Sequence, residues 1–141
     1  MKLEIGDPKN LLDRSFIEWL KIKIRNKILA DVNLKKLENW DNFFNNQSMY
    51  KSIYKKKILT SDIILAGASN LDYVKSESNF WIKINPNIYT PGLDRIKLDS
   101  VCKFINYGNR DLVGYPIFTD TFEYFAENIT EYVDRYLHGL L

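Results

Sequence analysis

The chain reads as a mainly α fold, one helix-rich α+β domain with a small β-hairpin or extended arm, and three patterns predict it. Leu12, Phe16, Leu20, Ile24 and Ile28 recur four apart, which places them along one face of a helix. Phe118, Phe122, Phe125, Ile129, Tyr132 and Tyr136 alternate spacings of four and three, the period of an apolar seam on a packed helix. Phe80, Ile82 and Ile84 alternate with Trp81 and Lys83, the period of a strand buried on one side.

A chain of 141 residues fits one domain, residues 1–141, able to bury roughly two thirds of its unfolded surface without a disulfide or metal staple. Its 45% hydrophobic and 27% charged residues match ordinary globular proteins, which excludes disordered and fibrous classes. The single Cys102 has no partner for an internal disulfide, and the start of the chain lacks a charged-then-apolar signal pattern. Synthesis in a reducing cytoplasm is expected. No apolar run approaches the roughly 18 residues of a membrane span, so no membrane partner is expected.

The first helix is expected to begin at Asp7, a capping residue, with Pro8 at the first helical position, and to run to Asp31. Leu34, Leu37, Trp40 and Phe44 predict a second helix, and Met49, Tyr50, Ile53, Tyr54 and Ile58 a third. These make up a basic helical part over residues 1–59. Ser61-Asp62 can cap a further helical turn through Ile63, Ile64 and Leu65, with Gly67 and Ser69 small enough to let another element approach. Residues 78–97 read as the hairpin or arm: the strand at Phe80–Ile84 stops at Asn85-Pro86-Asn87, and Ile88–Ile96 returns around Pro91-Gly92. Such an arm either adds a strand to a neighbour's sheet edge or packs on its own helices. Residues 98–141 read as a pair of helices. Leu98–Tyr107 stops at Gly108-Asn109, where a left-handed residue closes the helix, and the seam helix follows Pro116 and ends at Gly139.

Charge is unevenly distributed. Residues 1–60 hold 13 Lys and Arg against 7 Asp and Glu, a net of +6, whereas residues 61–141 hold 7 against 11, a net of −4. Complementary halves suit contact within the fold or between copies, and a basic half can also attract nucleic acid. Lys51, Lys55, Lys56 and Lys57 beside Tyr50 and Tyr54 are the candidate phosphate-and-base patch; as a plain alternative, lysines at a helix end complement its dipole.

Residue types suited to catalysis are few. His138, the only histidine, precedes Gly139 at a helix end, where an imidazole complements the dipole, and Cys102 sits on the apolar face of its helix as a small buried hydrophobe. One Cys and one His do not make the usual zinc sets, and Gly108 and Gly114 match neither the dinucleotide fingerprint nor the P-loop. No catalytic residue, metal or cofactor is assigned. Glu123, Glu127 and Glu131 stand four apart opposite the aromatic seam, a like-charged row that calls for positive groups across from it.

The run Val101-Cys-Lys-Phe-Ile-Asn-Tyr-Gly-Asn109, then Gly114-Tyr-Pro-Ile-Phe118 and a terminal helix with Tyr132, Tyr136 and Gly139, resembles the C-terminal ends of small tailed-bacteriophage virion proteins. The likeness covers the C-terminal third. It implies a non-enzymatic structural subunit of the head-to-tail connector, neck-ring or tail-completion type, made in the host cytoplasm and carried in the virion. Its implied partners are copies of itself in a ring and other virion proteins. The residues expected to make those contacts are Trp81, Tyr89, Tyr115, Phe118, Tyr132 and Tyr136, aromatics suited to interfaces. The alternative is a small nucleic-acid-binding or regulatory phage protein that uses the basic first half.

Overall fold

The computed structural model describes residues 1–6, 14–46, 57–77, 79–93 and 95–139. Helix α1 (Arg14–Asp31) buries Phe16, Ile17, Leu20, Ile24 and Ile28, the stripe that its periodicity marks. The expected start at Asp7-Pro8 and the residue Leu12 lie outside the described residues. The second periodic stretch forms two pieces. The Asn33 side chain accepts the Lys35 N–H at 3.1 Å and starts a 3-10 turn (Leu34–Leu37), after which α2 (Glu38–Asn46) buries Trp40 and Phe44. Of the third expected helix only its end is described, with Ile58 packed against the core.

Helix α3 (Thr60–Ser69) is longer than the single turn expected there, and its start is tied down by another element. The Thr60 N–H donates to the Asp41 carboxylate of α2 at 2.7 Å, where Ser61-Asp62 had been expected to cap. One turn further along α2, the Asn45 amide accepts the Ile58 N–H at 2.8 Å and donates to the Ile58 carbonyl at 2.7 Å. Two polar side chains of α2 thus serve backbone groups that would otherwise be unpaired.

Three antiparallel strands, β1 (Leu3–Gly6), β2 (Leu71–Lys75) and β3 (Asn79–Ile84), form a sheet in the order β1-β3-β2. The predicted strand is therefore its centre. Ile82 stands opposite Leu3 on one side and Tyr73 on the other, so both hydrogen-bonding edges of β3 are occupied and it has none to lend a neighbour. Phe80, Ile82 and Ile84 face the core, as the alternation requires. The hairpin spans residues 71–84, not 78–97. The described residues between 88 and 97 are joined by two short-range bonds: Leu93 N–H to Thr90 carbonyl at 3.0 Å, with Gly92 at φ 79°, and Ile96 N–H to Leu93 carbonyl at 3.1 Å. Among the described residues of that segment, only the bridge between Tyr89 and Lys97 is strand-like.

Helix α4 (Leu98–Tyr107) ends at Gly108, at the expected position and with the positive φ of 72° that glycine tolerates, but its ψ of −169° is extended where a left-handed helical closure was expected. The seam helix is split into α5 (Ile117–Glu127) and α6 (Ile129–Leu137). At the break Asn128 leaves helical geometry, with φ −107° and ψ 18°, while its side-chain amide and backbone N–H both donate to the Tyr124 carbonyl, at 2.8 and 3.1 Å. The bend lets Tyr136 lie 5.3 Å from Phe16 and 5.5 Å from Trp19, ring centre to ring centre, so the seam stays buried while its axis changes.

The core closes around Gly67 of α3. A methyl group there would come within 2.7 Å of Cys102 Sγ on α4, 3.0 Å of Phe118 on α5 and 3.3 Å of Ile84 on β3. Replacing Gly67 by Ala should destabilise the fold by about 2 kcal/mol, as overpacking of a filled core does, and part of that loss should return in a Cys102→Ala background, measured by urea unfolding.

Burial pushes the Cys102 thiol above its ordinary 9.0, and burial together with neighbouring Tyr124 pushes the Tyr132 hydroxyl from 10.0 up to about 12. Both groups then lose their protons more readily in the unfolded chain than in the folded one. The contribution of these two groups to stability is complete below pH 9.0 and should be lost as pH rises past 9.0 for Cys102 and past 10.0 for Tyr132. Urea midpoints across that range should show the decline, and Cys102→Ala should remove its first part.

Candidate functional site

The loop between α4 and α5 is closed on itself by backbone contacts. Gly108 and Val113 form an isolated bridge, the Asn109 N–H donates to the Leu112 carbonyl at 2.9 Å, and the Asn109 side chain accepts from Asp111 and Leu112, each at 2.8 Å. Side chains are excluded at its crossing point. A methyl group on Gly108 would lie 2.4 Å from Gly114 N, and one on Gly114 would lie 2.5 Å from Tyr107 C. Across the base of the loop, the Asn106 amide donates to Thr119 Oγ1 at 2.7 Å and accepts the Thr119 N–H at 3.1 Å, joining α4 to α5.

This corner is anchored on the first half of the chain by two aromatic side chains. Trp40 Nε1 donates to the Val113 carbonyl at 3.1 Å, and the Tyr115 hydroxyl accepts the Asn33 N–H at 2.9 Å while donating to the Asp31 carbonyl at 3.4 Å. Trp40 itself stands edge-on to Phe104 at 4.9 Å. Between the end of α1, α2, the loop and α5 lies an open cleft of about 890 Å³. Lys27, Asp31, Lys36, Asp111 and Asp120 charge its walls. Lys27 Nζ is 3.0 Å from Asp31 and 4.4 Å above the Tyr124 ring, so one wall is already internally neutralised.

The corner presents two apolar side chains outward, beside the exposed polar Asn109, Arg110 and Asp111. Val113, in the loop, is 90% exposed, and Tyr107, the last residue of α4, is 63% exposed. Neither stands out in the sequence, because a valine beside Leu112 reads as core until the loop geometry turns it outward.

The six aromatics expected at contacts divide by position. Phe118 and Tyr132 are buried in the core and are corrected to packing residues. Tyr136 is half-buried on Phe16 and Trp19, and Tyr115 is half-buried in its hydrogen bonds to the end of α1. Trp81 is half-buried on the outer face of the sheet with Lys2 Nζ 4.8 Å from its ring centre, and Tyr89 is exposed. Of the nucleic-acid candidates, Lys57 is exposed, whereas Tyr50, Lys51, Tyr54, Lys55 and Lys56 lie outside the described residues.

Cys102 is fully buried with its Sγ 3.9 Å from the Ile63 carbonyl, and His138 Nδ1 is 2.9 Å from the Asp134 carbonyl at the end of α6. Among the described residues no group of three or more His, Cys, Asp or Glu side chains comes together as a metal site would need, and no helix is long and apolar enough to cross a membrane. In the acidic row, Glu131 is paired with Arg135 of its own helix, where basic groups from the first half had been expected. Comparison with protein-family models, curated proteins and solved structures finds no match for this chain.

Tyr115→Phe removes a hydroxyl that serves two backbone groups. It should cost about 1 kcal/mol by urea unfolding and leave the far-ultraviolet circular dichroism unchanged.

Proposed function

We propose that the chain is a non-enzymatic structural subunit of a bacteriophage particle, acting in head-to-tail connection or tail assembly through repeated subunit contacts. One observation carries the reading: the closed corner at residues 106–117 holds Val113, 90% exposed, on a backbone fixed from both sides by Trp40 and Tyr115. An apolar side chain held rigidly in water suits docking, because little ordering entropy remains to be lost on contact. The runs that carry the likeness to tailed-phage virion proteins, Val101–Asn109 and Gly114–Phe118, flank Val113 on either side, which supports placing the contact in a particle made in the host cytoplasm.

The test is a density-gradient separation of infected-cell lysate with mass spectrometry of the fractions. The chain should sediment with intact particles at fixed stoichiometry. Val113→Asp should leave purified stability within about 0.5 kcal/mol, as exposed substitutions do, yet deplete the chain from the particle fraction. Recovery solely in soluble fractions overturns the structural role and turns attention to nucleic acid, whose binding should then weaken steeply with salt.

A further inference from the structure

Arg25 on α1 is half-buried, and its Nε is shielded from solvent without a hydrogen-bond partner. Its Nη2 reaches only the neighbouring Asn26 side chain, at 3.4 Å, and among the described residues no carboxylate lies within ion-pair range. A guanidinium carries five donors in a planar fork suited to a carboxylate, so an Arg placed in this way is an incomplete site. It lines a small cavity of about 150 Å³ between α1 and α3, together with Ile22, Ala68, Ser69 and Leu71. Lys21 and Glu18 at the rim are 3.0 Å apart and neutralise each other, which leaves the cavity with the charge of Arg25.

Exposed aliphatic side chains flank that charge, beyond the polar rim of Glu18, Lys21 and Ser69. Ile22 is 50% exposed and Leu29, two turns along the same face of α1, is 41% exposed, while Leu65 on α3 is 42% exposed. The complementary surface is therefore an amphipathic helix with one free carboxylate beside an aliphatic side chain. This chain exposes such a surface on α6, where Asp134 has no ion pair among the described residues and Leu137, three residues on, is 53% exposed.

The two patches cannot meet within one molecule. Tyr132 and Tyr136 hold α6 on the Trp19 side of α1, whereas Arg25 opens toward α3. We propose that the seam between α1 and α3 receives the Asp134–Leu137 face of α6 from a second copy of this chain, with the Asp134 carboxylate seated on the Arg25 guanidinium. Different patches meet, so the contact is heterologous and propagates from copy to copy until it closes. The uneven charge of the chain, net +6 over residues 1–60 and −4 over residues 61–141, has the same polarity. This contact deepens the structural-subunit reading by naming the surfaces that copies would use.

Sedimentation velocity of the purified full chain over a range of concentrations, at low and high salt, tests it separately from particle incorporation. The wild-type chain should associate with concentration and do so less at high salt. Arg25→Glu and Asp134→Arg should each weaken association by about tenfold or more, as loss of a close interfacial charge pair does, with unchanged melting for the exposed Asp134→Arg. The double variant Arg25→Glu/Asp134→Arg restores opposite charges across the contact and should associate again. A wild-type chain that stays monomeric at every concentration, an Asp134→Arg variant that associates like wild type, or a double variant that remains dissociated overturns the contact, whatever the particle gradient shows.

Discussion

The absence of a side chain at Gly67 is the constraint on which the rest of the fold rests. Helix α3 meets α4, α5 and the central strand at that one residue, with Cys102 too close to admit a methyl group and Phe118 and Ile84 leaving it little room. Close approach of this kind multiplies weak dispersion contacts and excludes water. It also sets positions further away. With Cys102 and Phe118 held on the same point, α4 and α5 are near enough for Asn106 and Thr119 to bond across them, and the loop that joins the two helices has to turn within a short distance. Gly108 and Gly114 are the residues that allow so tight a crossing.

Patterns internal to one element were legible in the sequence, and relations between elements mostly were not. The stripe of α1, the alternation of β3, the helix end at Gly108 and the smallness of Gly67 follow from period, from φ preference or from size, each a local property. The partners of β3 could not be read in this way. β1 lies about 75 residues away along the chain, and its pairing depends on tertiary contact rather than on its own pattern. Ile88–Ile96 carries residues typical of strands, but Pro91-Gly92 imposes a turn that outweighs them. The break at Asn128 is hidden by the seam itself, because both α5 and α6 bury the same stripe and only the side-chain chemistry of an asparagine marks the interruption.

The same distinction governs the candidate contacts. Aromatic type alone does not separate core from surface: Phe118 and Tyr132 are buried, whereas the most exposed apolar side chain among the described residues is Val113. Its exposure is a property of the loop, imposed by the Gly108–Val113 bridge and by the bond from Trp40 to its carbonyl. Arg25 shows the converse case. In the sequence it is one basic residue among many on α1, and only the packing of α3 alongside turns it into a cation with an unmet donor.

The interruption at Asn128 also has a mechanical meaning. A continuous helix is stiff and would pass a pull on its end straight to Phe118 and the packed centre around Gly67. With Asn128 at φ −107° and ψ 18° between them, α5 and α6 are separate levers. A load on α6 would change direction at that joint and reach the core through the ring contacts of Tyr132 with Phe125 and of Tyr132 and Tyr136 with Trp19, rather than along one continuous axis. The same apolar seam is thus buried by two helices whose axes differ, and a pull on the end of the chain is spread over several aromatic contacts instead of one helical rod.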